Sequence, residues 1–109
     1  MSYQRRSGAA WAIHPGEILQ QEFLKPMNLS GYSLAKALNV TAQRVSDIVL
    51  KKTGISADMA IRLGKFFAMS PEFWMSLQAS YELALAEKAL KKQLDKIKPH
   101  RAKVARPSA

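Results

Sequence analysis

Residues Leu34 to Ile48, LAKALNVTAQRVSDI, decide how this chain reads. Their apolar positions, Leu34, Ala35, Leu38, Val40, Val45 and Ile48, predict two short helices interrupted at Asn39-Val40 and restarted at Thr41. Two helices that cross tightly need a small side chain where the backbones meet, and Ala35 supplies it. The turn between them needs a residue that accepts positive φ; glycine is the usual choice and Asn39 the next best. Thr41 is placed to cap the second helix, its hydroxyl accepting the Arg44 N–H. In this register Ala42, Val45, Ile48 and Val49 face inward, and Gln43, Arg44, Ser46 and Asp47 face out.

The pattern is that of a helix-turn-helix. Any small helical domain can hold two amphipathic helices and a turn, so the outward residues carry the functional weight. Gln43 and Arg44 lie in the first turn of the second helix, where a recognition helix presents side chains to base edges. Gln can read adenine and Arg guanine, each through a bidentate contact. Beyond the helix, Lys51-Lys52-Thr53-Gly54 reads as a basic loop turned by Gly54. Asp47 is expected to pair along the helix with Arg44 or Lys51.

With 109 residues, 48% of them hydrophobic, and a formal net charge of +9, the chain has the size of one compact domain. No apolar run is long enough to span a bilayer and MSYQRRSGAAWAIH lacks a signal-peptide core, which predicts a cytoplasmic protein without a membrane. There is no cysteine. Only His14 and His100, far apart in sequence, remain as metal ligands, so neither a metal site nor a cofactor is expected. The charge is uneven: residues 1–86 carry nine Lys/Arg and six Asp/Glu, residues 87–109 eight and two. A strongly basic C-terminal segment points to a polyanion, because contacts to phosphates release counterions; the alternative is a solvated tail.

The spacing predicts a flexible arm over 1–10, a domain over 11–86, an extension of the last helix over 87–98 and a disordered basic tail over 99–109. Trp11 and Ile13 are expected to dock on the domain. His14-Pro15-Gly16-Glu17 opens the first helix with Pro15 at its first position, Ile18, Leu19 and Phe23 form its buried face, and Lys25-Pro26 end it. His14 has no acid, nucleophile or second ligand near it in sequence, so a capping or surface role is expected rather than catalysis. Ser30 caps the next helix. Tyr32 and Ser33 in its first turn could donate to a phosphate, or Tyr32 could pack on the surface. Ser56 caps a fourth helix whose inward face is Met59, Ala60, Leu63, Phe66 and Phe67.

Ser70-Pro71-Glu72 starts the last helix with a cap, a proline and an acid against the helix dipole. Projected at about 100° per residue, Phe73, Trp74, Leu77, Tyr81, Ala84 and Leu85 make one stripe, and Met75, Ala79, Leu83, Ala86, Leu90, Leu94 and Ile97 a second on the opposite side. Two apolar faces need two partners. Lys88, Lys91 and Lys92 replace the first stripe beyond Leu85, whereas the second runs on, so its expected partner is another copy of the chain. The alternatives are that it folds back on the domain or frays.

These residues carry a resemblance. The blocks HPGEIL at His14 to Leu19, the helix-turn-helix followed by GISADMAIRLGKFF at Gly54 to Phe67, and SPEFWMSLQASYEL at Ser70 to Leu83 resemble the HigA-type antitoxins, or virulence-associated protein I, within the phage-repressor-like (Xre) helix-turn-helix group. The resemblance implies an all-α, five-helix domain with a long C-terminal helix. It further implies a homodimer, a double-stranded operator in the protein's own operon, and a partner toxin, usually a small basic mRNA endonuclease. By position it assigns DNA reading to Thr41, Ala42, Gln43, Arg44 and Ser46, with Lys51 and Lys52 on phosphates. The chain departs from the pattern at Asn39, which replaces the common glycine, and in its basic tail. A stand-alone Xre-type repressor without a toxin is the second reading, a pure protein-binding module the third. An enzyme is not expected, since nothing in the sequence assembles a nucleophile, paired acids or a phosphate-cradling loop.

Overall fold

The structure, a computed structural model, describes residues 12–100. The expected N-terminal arm, Trp11 and the tail from Arg101 onward lie outside the described residues. Among the described residues the fold is all-helical and no helix is long and apolar enough to cross a membrane. Helix α1 (Pro15–Ile18) opens on His14, whose Nδ1 accepts the Gly16 N–H at 2.8 Å. It continues directly into a π-helical turn, Leu19–Leu24, in which the Lys25 N–H reaches back to the Gln20 carbonyl at 3.0 Å. A 3.6-residue spacing does not anticipate this wider turn. It sets Leu24 on the side of Leu19, so both are buried, while Phe23, expected on the buried face, is half-buried.

Helices α2 (Gly31–Leu38), α3 (Ala42–Val49), α4 (Ala57–Phe67) and α5 (Pro71–Ala89) start where the capping residues predict. The hydroxyls of Ser30, Thr41, Ser56 and Ser70 accept the N–H groups of Ser33, Arg44, Met59 and Glu72 at 3.0 to 3.2 Å. Each satisfies an N-terminal donor that would otherwise be unpaired, worth about 0.5–2 kcal/mol. Asn39 takes the left-handed conformation at φ 61°, as the turn requires. In the loop after α3 the positive φ belongs to Lys51, at 66°, and not to Gly54.

The core lies among α1, α2, α3 and α4 and is closed by the first half of α5. Trp74 is its centre, wholly buried, with ring centroids of Phe23 at 5.0 Å and Phe73 at 5.2 Å. Phe67 packs on Phe23 at 4.8 Å. Phe66, expected inside, is 41% exposed: Phe67 fills the last contact of α4 with this cluster, and Phe66 lies edge-on against it. Ile13, expected to dock, is equally exposed.

Along α5 the expected domain-facing stripe holds through Trp74, Leu77 and Ala84, which are buried. Leu85 is exposed, because Ala84 is the last side chain that the domain covers. The second stripe stays uncovered in this chain: Met75, Ala79, Leu83, Ala86, Leu90, Leu94 and Ile97 are all exposed. The run expected to continue as one helix is broken at Leu90 (φ −96°, ψ 4°), after which only a short turn, α6 (Lys91–Leu94), follows.

The start of α1 sits directly on the end of α3. A Cβ at Gly16 would collide with the Ile48 carbonyl, whereas one at Gly31 would meet only Val45 Cγ1 at 3.5 Å. Gly16→Ala is therefore expected to cost about 1–3 kcal/mol in urea unfolding, since backbone must move. Gly31→Ala should cost little. His14 offers a second test. Burial first, then the Lys51 charge, hold its pKa below the ordinary histidine value, partly offset by a hydrogen bond with the Thr53 backbone. A depressed folded pKa means that the unfolded chain binds the proton more readily, so stability present above the ordinary value is lost as pH falls below it. The urea midpoint should drop between roughly pH 7 and pH 5, and His14→Asn, a cap that does not titrate there, should flatten that drop.

Candidate nucleic-acid interface

Helix α3 is held by its apolar side and leaves its start in solvent. Val45 and Ile48 are buried and Val49 half-buried. Ala42, expected to face inward, is exposed: the first turn of α3 lies at the domain surface, where even the inward side of the helix is uncovered. Thr41, Gln43 and Arg44 are exposed beside it, and Ser46 and Asp47 are half-buried. The residues assigned to DNA thus divide into an exposed helix start, a half-buried Ser46, and the exposed Lys51 and Lys52 at the far end.

The outward side chains are already engaged by neighbours. Gln43 Nε2 donates to Asp47 Oδ1 at 2.7 Å, so Asp47 pairs with Gln43 rather than with Arg44 or Lys51. Arg44 reaches instead to Asp58 on α4, Nη2 to Oδ1 at 3.5 Å, and Lys51 pairs with Glu17 on α1 at 3.0 Å. The sequence spacing favours local pairs one helical turn apart, but in the folded chain acids from α4 and α1 lie closer to these two cations. Tyr32 is exposed beneath Lys36, whose Nζ lies 5.7 Å from the ring centroid.

Two positioning residues were not evident from the sequence. Arg62 on α4 donates from Nε to Asp58 Oδ1 at 2.6 Å and from Nη1 to the Leu38 carbonyl at 2.8 Å, with a longer reach to that of Asn39 at 3.4 Å. It ties α4 to the turn between α2 and α3. Its hydrogen bond, ahead of the charges of Arg62 and Arg44, holds the Asp58 carboxyl below the usual carboxylate range. The four-residue step from Asp58 to Arg62 was a readable signal; the reach to the turn was not. Gln78 on α5 accepts the Ile55 N–H at 2.7 Å and donates to Glu82 at 2.7 Å. Its amide fills the space where a side chain at residue 54 would be, so Gly54 serves a close approach and not a turn.

This geometry can be set beside known proteins. Residues 21–74 match the helix-turn-helix family. The chain is 50% identical over 76 residues to virulence-associated protein I of Dichelobacter nodosus, covering 70% of each chain. The solved structure of Pseudomonas aeruginosa antitoxin HigA with the higBA promoter is 54% identical, with a TM-score of 0.78 over 81% of this chain and 97% of that one. An addiction module antidote protein of the HigA family from Coxiella burnetii is 40% identical, with a TM-score of 0.77 over 82% and 98%. With the predicted caps, the left-handed Asn39 and the buried SPEFW tryptophan all in place, the chain belongs to the HigA-type, virulence-associated protein I group of the helix-turn-helix family.

Proposed function

We propose that this chain is the antitoxin of a toxin–antitoxin pair: a sequence-specific, DNA-binding repressor of its own operon that also captures its toxin and performs no catalysis itself. The observation that carries the reading is the start of α3. Thr41, Gln43 and Arg44 project from a helix whose other side is locked in the core, on a scaffold matched by a HigA solved with its promoter. Gln43 and Arg44 read base edges, Thr41, Ala42 and Ser46 fit the groove around them, and Lys51 and Lys52 hold phosphates. The toxin is of the mRNA endonuclease type. A small basic reading frame beside this gene is the expected genomic setting.

Arg44→Ala should weaken binding to the duplex upstream of the chain's own gene by about 1–3 kcal/mol and change random-sequence binding little. Lys52→Ala should weaken both alike. Fluorescence anisotropy with the two duplexes separates these outcomes, and equal losses for Arg44→Ala would remove it from the base-reading set.

The functional unit is a homodimer joined through Met75, Ala79, Leu83, Ala86, Leu90 and Leu94. Support comes from burial: Leu83 is 52% exposed on a helix whose other face closes the core, and Leu90, where that helix ends, is 45% exposed. Large apolar side chains repeated along one face carry a solvation cost that association removes. A two-fold pair would set two recognition helices roughly one DNA turn, about 34 Å, apart. Leu83→Glu combined with Leu90→Glu should sediment as a folded monomer with native circular dichroism, and should lose operator binding far more than random-sequence binding. A double variant that stays dimeric would place the interface elsewhere and free this stripe for the toxin.

A further inference from the structure

The acid that meets Arg44 comes from a different helix and is itself fixed in place. Asp58 Oδ1 receives Arg62 Nε at 2.6 Å, Arg62 is anchored on the Leu38 carbonyl, and Arg44 approaches the same oxygen through Nη2 alone, at 3.5 Å. To follow Arg44, Asp58 would have to give up its shorter hydrogen bond from Arg62. A guanidinium has five N–H donors. One directed at Asp58 leaves a fork free, enough for the two acceptors on a guanine edge. A phosphate, in contrast, attracts Arg44 by its net charge, and a carboxylate beside Arg44, here shared with Arg62, lowers that attraction.

Resting on the DNA-binding reading, we propose that Asp58 is a specificity-determining residue of this face: it leaves Arg44 able to hydrogen-bond to a base while suppressing its attraction to phosphate. Specificity is a difference between two affinities, and Asp58 acts on the unwanted one. Random DNA seldom sets a guanine in register with Arg44 and holds it mainly through backbone charge, so a carboxylate beside Arg44 reduces what that contact gains. The operator offers a fixed pair of acceptors, and the contact to them is directional.

The test compares wild type, Asp58→Asn, Arg44→Ala and the double variant on the upstream duplex and on a random duplex, across a salt series. Asp58→Asn should tighten random-sequence binding and steepen its dependence of log K on log salt by up to about 0.9, so that the operator-to-random ratio falls on the order of fivefold at low salt. With Arg44→Ala already present, Asp58→Asn should leave that ratio unchanged. Asp95→Asn controls for the loss of one negative charge far from α3, and Asp58→Ser stands in if Asp58→Asn unfolds by circular dichroism. An unchanged ratio in Asp58→Asn, or the same fall without Arg44, would overturn the proposal while wild-type operator preference persists. A wild-type chain with no operator preference would overturn the DNA-binding reading itself.

Discussion

Arg62 is the contact on which the turn between α2 and α3, and so the start of α3, depends. A left-handed residue such as Asn39 ends α2 abruptly and turns carbonyls of its last turn toward neighbouring structure. The Leu38 carbonyl is met by a charged donor from α4, at 2.8 Å. A hydrogen bond to a charged donor is worth about 1.5–3 kcal/mol where it is partly shielded from water, more than an exposed ion pair contributes. The turn geometry, and with it the angle at which α3 leaves the domain, is thereby tied to a helix that packs extensively on α5. The same guanidinium holds Asp58, so turn position and the electrostatics around Arg44 share one side chain.

Local features were legible in the sequence because their causes are local. Ser30, Thr41, Ser56 and Ser70 cap their helices through N–H groups two or three residues away, and Asn39 adopts positive φ through its own backbone. His14 likewise caps its own helix. What the spacing misplaced depends on neighbours distant in the chain. Ala42, Phe66 and Leu85 occupy the apolar side of their helices, yet each lies where that side has run beyond its packing partner. Periodicity defines the direction of a face and not where its cover ends. The π-helical turn escapes for a related reason: one extra residue rephases the following side chains, and it shows only in the folded chain, in the Lys25-to-Gln20 backbone bond and the packed position of Leu24.

At the interface the division is the same. That Gln43 and Arg44 point outward followed from helix phase, but the acids beside Arg44 and Lys51 could not, because Asp58 and Glu17 are brought in by the packing of α4 and α1. Gln43, Arg44 and Lys51 each meet one carboxylate in the folded chain. A net charge of +9 therefore overstates how cationic the α3 surface is, since much of the excess lies beyond residue 86.

Helix α5 joins the two surfaces that the sequence suggested separately. Its buried face carries Trp74 and Leu77, and Gln78, one residue beyond Leu77, grips the Ile55 N–H at the exit of the α3 loop. Four residues from Gln78, Glu82 accepts from the same amide, and Leu83 beside it belongs to the uncovered stripe. A Cβ at residue 54 would displace that amide, so the loop bearing Lys51 and Lys52 is seated against α5 by shape as well as by a hydrogen bond. Whatever covers the exposed stripe of α5 thus bears on a helix that also sets the loop beyond α3.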